Sequence, residues 1–264
     1  MKNYNPIYLY NINTIRFEDI TDDMAKQDNQ ITNFFWKPNH IIQQKLHNKL
    51  NNENIHTRII DVACGLTPFE KATHLVDFDR TSYPNKRILA IDIDYDTFEY
   101  EDKYFNYVYS RHTLEDIQNP LHAFNEFIRI GKQGYIETPS PLIECMRGVD
   151  IIESSSSYCG YIHHRYIVWT KNDTLYFLPK YPLLEHIVFS EPILKKLRHI
   201  ANNYPIYWNN YYTWDPSHPP KIVVYRNGVN FSLTGNGYMN YVNFINESIF
   251  ASILSTTSFI STLP

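Results

Sequence analysis

The chain has 264 residues, 43% hydrophobic and 20% charged, so it can bury a sizeable core and long disorder is not expected. Its net charge is -4 and its pI is about 6.2, which argues against the broad excess of Lys and Arg that nucleic-acid binding leaves on a sequence. Cys64, Cys145 and Cys159 show no CxxC or Cys/His spacing, so free thiols are expected rather than structural zinc or disulfides.

The amino terminus lacks the continuous apolar run of a signal peptide. No stretch approaches the ~18 uninterrupted apolar residues of a membrane-spanning helix. A cytoplasmic protein is expected, in the cytoplasm of a host if the source is viral. Asn, Ile and Tyr are abundant, which AT-rich codons explain and which fits a bacterial parasite or a large DNA virus equally well.

In chain order, the first 35 or so residues are mixed and polar and read as an arm. Pro38 and the helical spacing of Ile41, Ile42, Leu46 and Leu50 predict an amphipathic helix over 39–52. Strands are expected at 58–63, 73–76, 87–93, 104–110 and 133–139. A helix over 120–131 is opened by Pro120 and closed by Gly131, with Leu121, Phe124, Phe127 and Ile128 on its apolar face. This alternation points to a parallel sheet covered by helices.

Beyond Pro141 the texture changes. Strands at 165–170 and 174–179 flank a polar Lys-Asn-Asp turn and form a hairpin, and 191–202 is helical. A second hairpin is expected in 221–233 around Asn227-Gly228, while the tail from 234 shows no clear period. The division is an arm and leading helix (1–57), a core (58–200) and an aromatic-rich extension packed on that core (201–264).

In doubly wound sheets, ligands bind outside the carboxyl ends of the strands. Those ends read DVACG, VDFD, DIDYD, SRHTLED and ETPSP. Gly65 can take positive φ and approach a ligand closely. Asp77 can accept two hydrogen bonds from vicinal ribose hydroxyls. Asp94 follows the third strand, with Asp92 and Asp96 as rivals for its role. Ser110, Arg111 and His112 follow the fourth.

The run from 58 to about 139 resembles the class I S-adenosylmethionine-dependent methyltransferases, most closely the methyltransferase type 11 group. DVACGLTPF, LVDFD, DYDTFEYEDKYFNYVYS, RHTLEDIQNP and RIGKQGYIETPSP carry the resemblance. It implies a Rossmann-like, doubly wound, mostly parallel seven-stranded α/β sheet whose last two strands are an antiparallel hairpin, a place that 165–179 would fill. It also implies S-adenosylmethionine as cofactor. Asp61, Ala63, Cys64 and Gly65 would line its methionine part, Asp77 its ribose, and Asp94 and Tyr95 its adenine, with Ser110, Arg111 and His112 near the sulfonium. The sequence departs from the group's pattern at Ala63, Thr67, Asn106 and Asp116. The span from Gly65 to Asp77 leaves barely two helical turns, so a loop starting at Pro68 is expected where the first cofactor-facing helix would be.

A hydroxyl acceptor wants a general base near neutrality, and His112, His163 and His164 are candidates, with Glu137 a further carboxylate aimed at the cleft. His163 and His164 precede a strand, where neighbours point to opposite faces, so they read as a poor metal pair and no metal is expected. Two functions stay open. One is methyl transfer to a small-molecule or sugar acceptor, with Trp169, Trp208 and Trp214 as rings that could stack on a sugar. The other is a methyltransferase fold without catalysis, serving as a binding or assembly module. A nucleic-acid acceptor is disfavoured by the charge, and the oligomeric state is open.

Overall fold

The computed structural model describes residues 38–78, 88–147, 149, 158–225 and 236–262. The expected arm, the Ser154–Ser157 run, Asp79, Arg80 and the Asn227-Gly228 turn lie outside those residues.

Helix α1 (His40–Asn52) starts where Asn39 caps it, the Asn39 side chain accepting from the Ile41 and Ile42 amides at 3.0 and 3.2 Å. Ile42, Leu46 and Leu50 are its buried stripe. The central sheet follows: β1 (Ile59–Val62), β2 (His74–Asp77), β3 (Ile88–Ala90), β4 (Tyr107–Arg111) and β5 (Gly134–Pro139). Their order is β3-β2-β1-β4-β5, all parallel. Helix α2 (Pro120–Ile130) connects β4 to β5, with Pro120 in its first turn and the Asn119 side chain accepting from the His122 amide.

Among the described residues the sheet has six strands, not the seven expected, and its last strand is not the 165–179 hairpin. That hairpin forms, as β6 (Tyr166–Lys171) and β7 (Thr174–Pro179) turning through Asn172 and Asp173, both at positive φ. It belongs to a separate three-stranded sheet, completed by β9 (Ile222–Val224) parallel to β7. The free edge of β5 is filled instead by β8 (Asn209–Trp214), antiparallel, in unbroken register from Gly134↔Trp214 to Pro139↔Asn209. Gly134 permits this, because a Cβ there would lie 2.2 Å from the Trp214 ring. The sheet therefore continues past residue 200, into the segment expected to be an extension packed on the core.

Period-two alternation sorts the strand residues onto two faces. Ile60, Val62, Val108, Ile136, Tyr212 and Trp214 pack with Phe124, Phe127 and Ile130 of α2. Ile59, Tyr107, Tyr109, Tyr135 and Tyr211 pack with α1, with α4 (Glu191–Asn203) and with α5 (Asn236–Thr262). On this second face the rings run Phe69–Tyr109–Tyr135–Tyr211–Phe259, at successive centroid distances of 4.3, 5.3, 6.4 and 5.2 Å. Part of the tyrosine excess is thus a structural ladder. Trp169 and Trp214 are buried in the core, and the Trp208 indole N–H donates to the Ala201 carbonyl at 2.6 Å. Burial removes the first two from any sugar-stacking role.

Helix α5 takes up the tail that shows no clear period in the sequence. Tyr241, Ile245, Ile249 and Ile253 recur every four residues and are all buried. No described helix is long and apolar enough to cross a membrane.

Candidate functional site

The carboxyl ends of β1, β2 and β3 form one half of a cleft. Asp61 is buried, and its Oδ2 accepts from the Phe69 amide at 2.7 Å, pinning the loop after β1. That loop holds no regular helix before β2, as its length implied. Ala63 and Gly65 are both left-handed, at φ 57° and 50°. Ala63 thus holds a left-handed backbone that glycine takes freely, at a cost of about 1–2 kcal/mol. Beyond Gly65 the space is open, and a Cβ there would meet nothing within 4 Å.

Asp77 ends β2 and turns toward this loop, its Oδ2 accepting from the Gly65 amide at 2.7 Å and lying 3.8 Å from the Cys64 sulfur. Burial, then the charges of Asp61 and Asp77, push the Cys64 thiol up to about 12, so it is a neutral thiol at physiological pH. Asp94 is anchored to α2, its Oδ1 accepting from the Asn119 amide at 2.7 Å. Tyr95 is exposed beside it and donates to the Gln118 carboxamide at 3.3 Å. Leu66 and Phe78, 76% and 78% exposed, flank this half as large apolar side chains open to solvent. The apolar residue directly after each of Gly65 and Asp77 was the available sequence signal for them.

The ends of β4 and β5 form the other half, and here charge is buried. Arg111 Nε donates to Glu137 at 3.1 Å. Glu137 also accepts from the Tyr135 hydroxyl and from Asn209 Nδ2, the latter at 2.7 Å. Burial alone would push the Glu137 carboxyl up, but Arg111 and His112 hold it at about 2. His112 sits at φ 49° with its amide donating to the Glu137 carbonyl at 2.8 Å. Its Nδ1 is 3.6 Å from Glu115 and its Nε2 3.7 Å from Glu137. Burial lowers its pKa, with Glu137 opposing, so the imidazole is neutral near pH 7. Ser110 is buried, and its hydroxyl has no hydrogen-bond partner among the described residues.

Glu115 is buried with both carboxyl oxygens lacking a hydrogen-bond partner among the described residues, and burial raises it to about 8. It passes for an ordinary loop acid in the sequence, because nothing local marks it as buried. Next to it, Asp116 faces both His163 and His164. His164 is held by Glu144, the last residue of the single-turn α3 (Pro141–Glu144), and Glu144 is paired in turn with Lys180. His163 and His164 do not point to opposite faces. Their segment is a turn ahead of β6, and their rings meet edge to face at 4.5 Å. The period-two argument fails there because the backbone is not extended.

Residues 86–142 match the family model described as methionine biosynthesis protein MetW. No curated protein matches the chain. Among solved structures, the chain is similar to S-adenosylmethionine-dependent methyltransferases from three organisms. The Mesorhizobium loti protein is 19% identical with a TM-score of 0.29, over 34% of this chain and 51% of that one. For Aquifex aeolicus the values are 15% and 0.28, over 40% and 75%. For Archaeoglobus fulgidus they are 18% and 0.34, over 41% and 56%. The chain thus spans about half the length of the first of these.

Proposed function

We propose that this chain is an S-adenosylmethionine-dependent methyltransferase that acts on a small-molecule or sugar acceptor in the cytoplasm. One observation carries the reading: at the carboxyl edge of a parallel sheet, the left-handed Gly65 borders open space and Asp77 stands opposite. Backbone and carboxylate in that relation suit a ribose-bearing cofactor. Asp61, Ala63, Cys64 and Gly65 would hold its amino-acid part, Asp77 its ribose, and Asp94 and Tyr95 its base, with Ser110 and Arg111 at the middle of the cleft. Leu66 and Phe78 supply apolar surface to exclude water there. When bound, S-adenosylmethionine supplies an activated methyl group.

The chain's own task is then alignment and proton handling. His112, kept neutral by burial, accepts the proton of a hydroxyl acceptor at a ring nitrogen. Glu137 accepts the His112 amide at its carbonyl and holds Arg111 at its carboxylate. It acts as a positioning residue, since its low pKa leaves it no proton to give. The net charge of -4 favours a small acceptor over a nucleic acid. Three buried, unpaired cysteines favour a reducing compartment.

A second reading is favoured by the Gly65–Asp77 hydrogen bond, which already occupies one oxygen of the ribose-binding carboxylate. On that reading the fold persists as a binding or assembly module. Titration calorimetry with S-adenosylmethionine and S-adenosylhomocysteine separates the two. Saturable heat from both is expected, and silence from folded protein at millimolar cofactor would sink the methyltransferase reading.

A further inference from the structure

Outside the residues assigned to methyl transfer, one cluster has the chemistry of a cation site. We propose that Asp116, His163 and His164 bind a borderline divalent metal ion of the zinc, cobalt or nickel kind. One donor atom from each lies within 4.8 Å of the other two. His164 Nε2 is 3.6 Å and His163 Nε2 3.9 Å from Asp116 Oδ1. A tetrahedral cation with bonds of about 2.0–2.1 Å needs its donors roughly 3.4 Å apart. The exposed His163, on its turn, is the ligand free to close that gap.

The orientation of His164 is already that of a ligand. Its Nδ1 is 2.7 Å from Glu144 Oε1, so Nδ1–H donates to the carboxylate, and the neutral ring would present the Nε2 lone pair toward Asp116. Glu144 is itself held at 2.6 Å by Lys180, whose ammonium also donates to the Tyr161 carbonyl. A carboxylate behind a histidine that presents its other nitrogen is the outer-shell arrangement that orients metal-binding imidazoles. Asp116 Oδ1 is buried and has no hydrogen-bond donor among the described residues. A buried carboxylate oxygen in that state is rare unless something positive lies beside it.

Two imidazoles and one carboxylate favour a borderline transition ion over magnesium or calcium, which prefer all-oxygen sets. Three protein donors leave at least one coordination position for water or an acceptor oxygen, as in catalytic rather than structural sites.

The site is independent of cofactor binding and is tested without it. Full-length, tag-free protein stripped with chelator is titrated with Co2+, following visible absorption, and with Zn2+, by metal analysis after desalting. One equivalent per chain is expected. Asp116→Asn, of equal size, and His163→Ala, at an exposed position, should each weaken uptake at least tenfold while keeping the wild-type thermal transition. His218→Ala, in a surface turn, should not. Glu144→Gln should weaken uptake about ten- to a hundredfold through His164. Failure to take up either ion would overturn the proposal, leaving His164 as an imidazolium between two carboxylates. Uptake that survives Asp116→Asn would overturn it equally.

Discussion

Around Gly65 the cleft wall is backbone held by the Asp61 and Asp77 carboxylates, with exposed apolar side chains; around Glu137 it is a buried ion pair. The first half can change cheaply. An alanine in a left-handed position costs about 1–2 kcal/mol, and the chain carries one at Ala63. The second half cannot. Arg111 and Glu137 are each other's main compensation inside the core, and removing one partner of such a pair leaves an orphaned charge worth several kcal/mol. A non-glycine residue in the loop therefore says little about the fold, whereas one change in the β4–β5 network would say a great deal.

The largest expected effect breaks that half. Arg111→Ala should cost about 3–5 kcal/mol in urea denaturation, through the uncompensated Glu137 carboxylate. Acid should sharpen the same point. The folded pKa of Glu137, about 2, lies below the ordinary 4.5, so the unfolded chain takes up the proton first. Its contribution is fully present above about pH 4.5 and is lost as pH falls through about 2. The stability gap between wild type and Glu137→Gln, followed by urea midpoints, should shrink across that window. A gap independent of pH would remove the ion pair from the account.

The loop half should respond in binding more than in stability. Gly65→Ala meets no steric obstacle, so it should cost only about 1–2 kcal/mol of backbone strain, yet weaken S-adenosylhomocysteine binding at least tenfold by filling the cradle. Unchanged affinity alongside that loss of stability would instead make Gly65 a purely structural turn. The smallest effect is on Cys64: with its thiol raised to about 12, it should stay unalkylated by iodoacetamide at pH 8 in folded protein, as mass spectrometry would read. Rapid modification would mean that the loop is open.

The sequence made β1 to β5 legible as strands of a parallel sheet, because each is a short apolar run that ends in polar residues. It misled about the sheet edge. The 165–179 hairpin and β8 are both rich in aromatic residues, and Gly134 admits Trp214 across β5, a long-range packing fact. Helix α5 was hidden by Asn, Ser and Thr, which are poor helix formers, although its four-residue period of buried side chains was present. In the site, Gly65 and Asp77 were readable from type and position. Glu115 and the His163–His164–Asp116 grouping were not, since burial and a turn conformation decide them.

The ring ladder from Phe69 to Phe259 has a consequence for how the molecule is made on the ribosome. Its first ring belongs to the loop that Asp61 pins, and its last belongs to α5. While α5 is still in the exit tunnel, Tyr211 and Tyr135 lack the ring that stacks on both. Contacts so distant in sequence close late and slowly. The loop after β1 therefore reaches its final packing only after α5 has emerged.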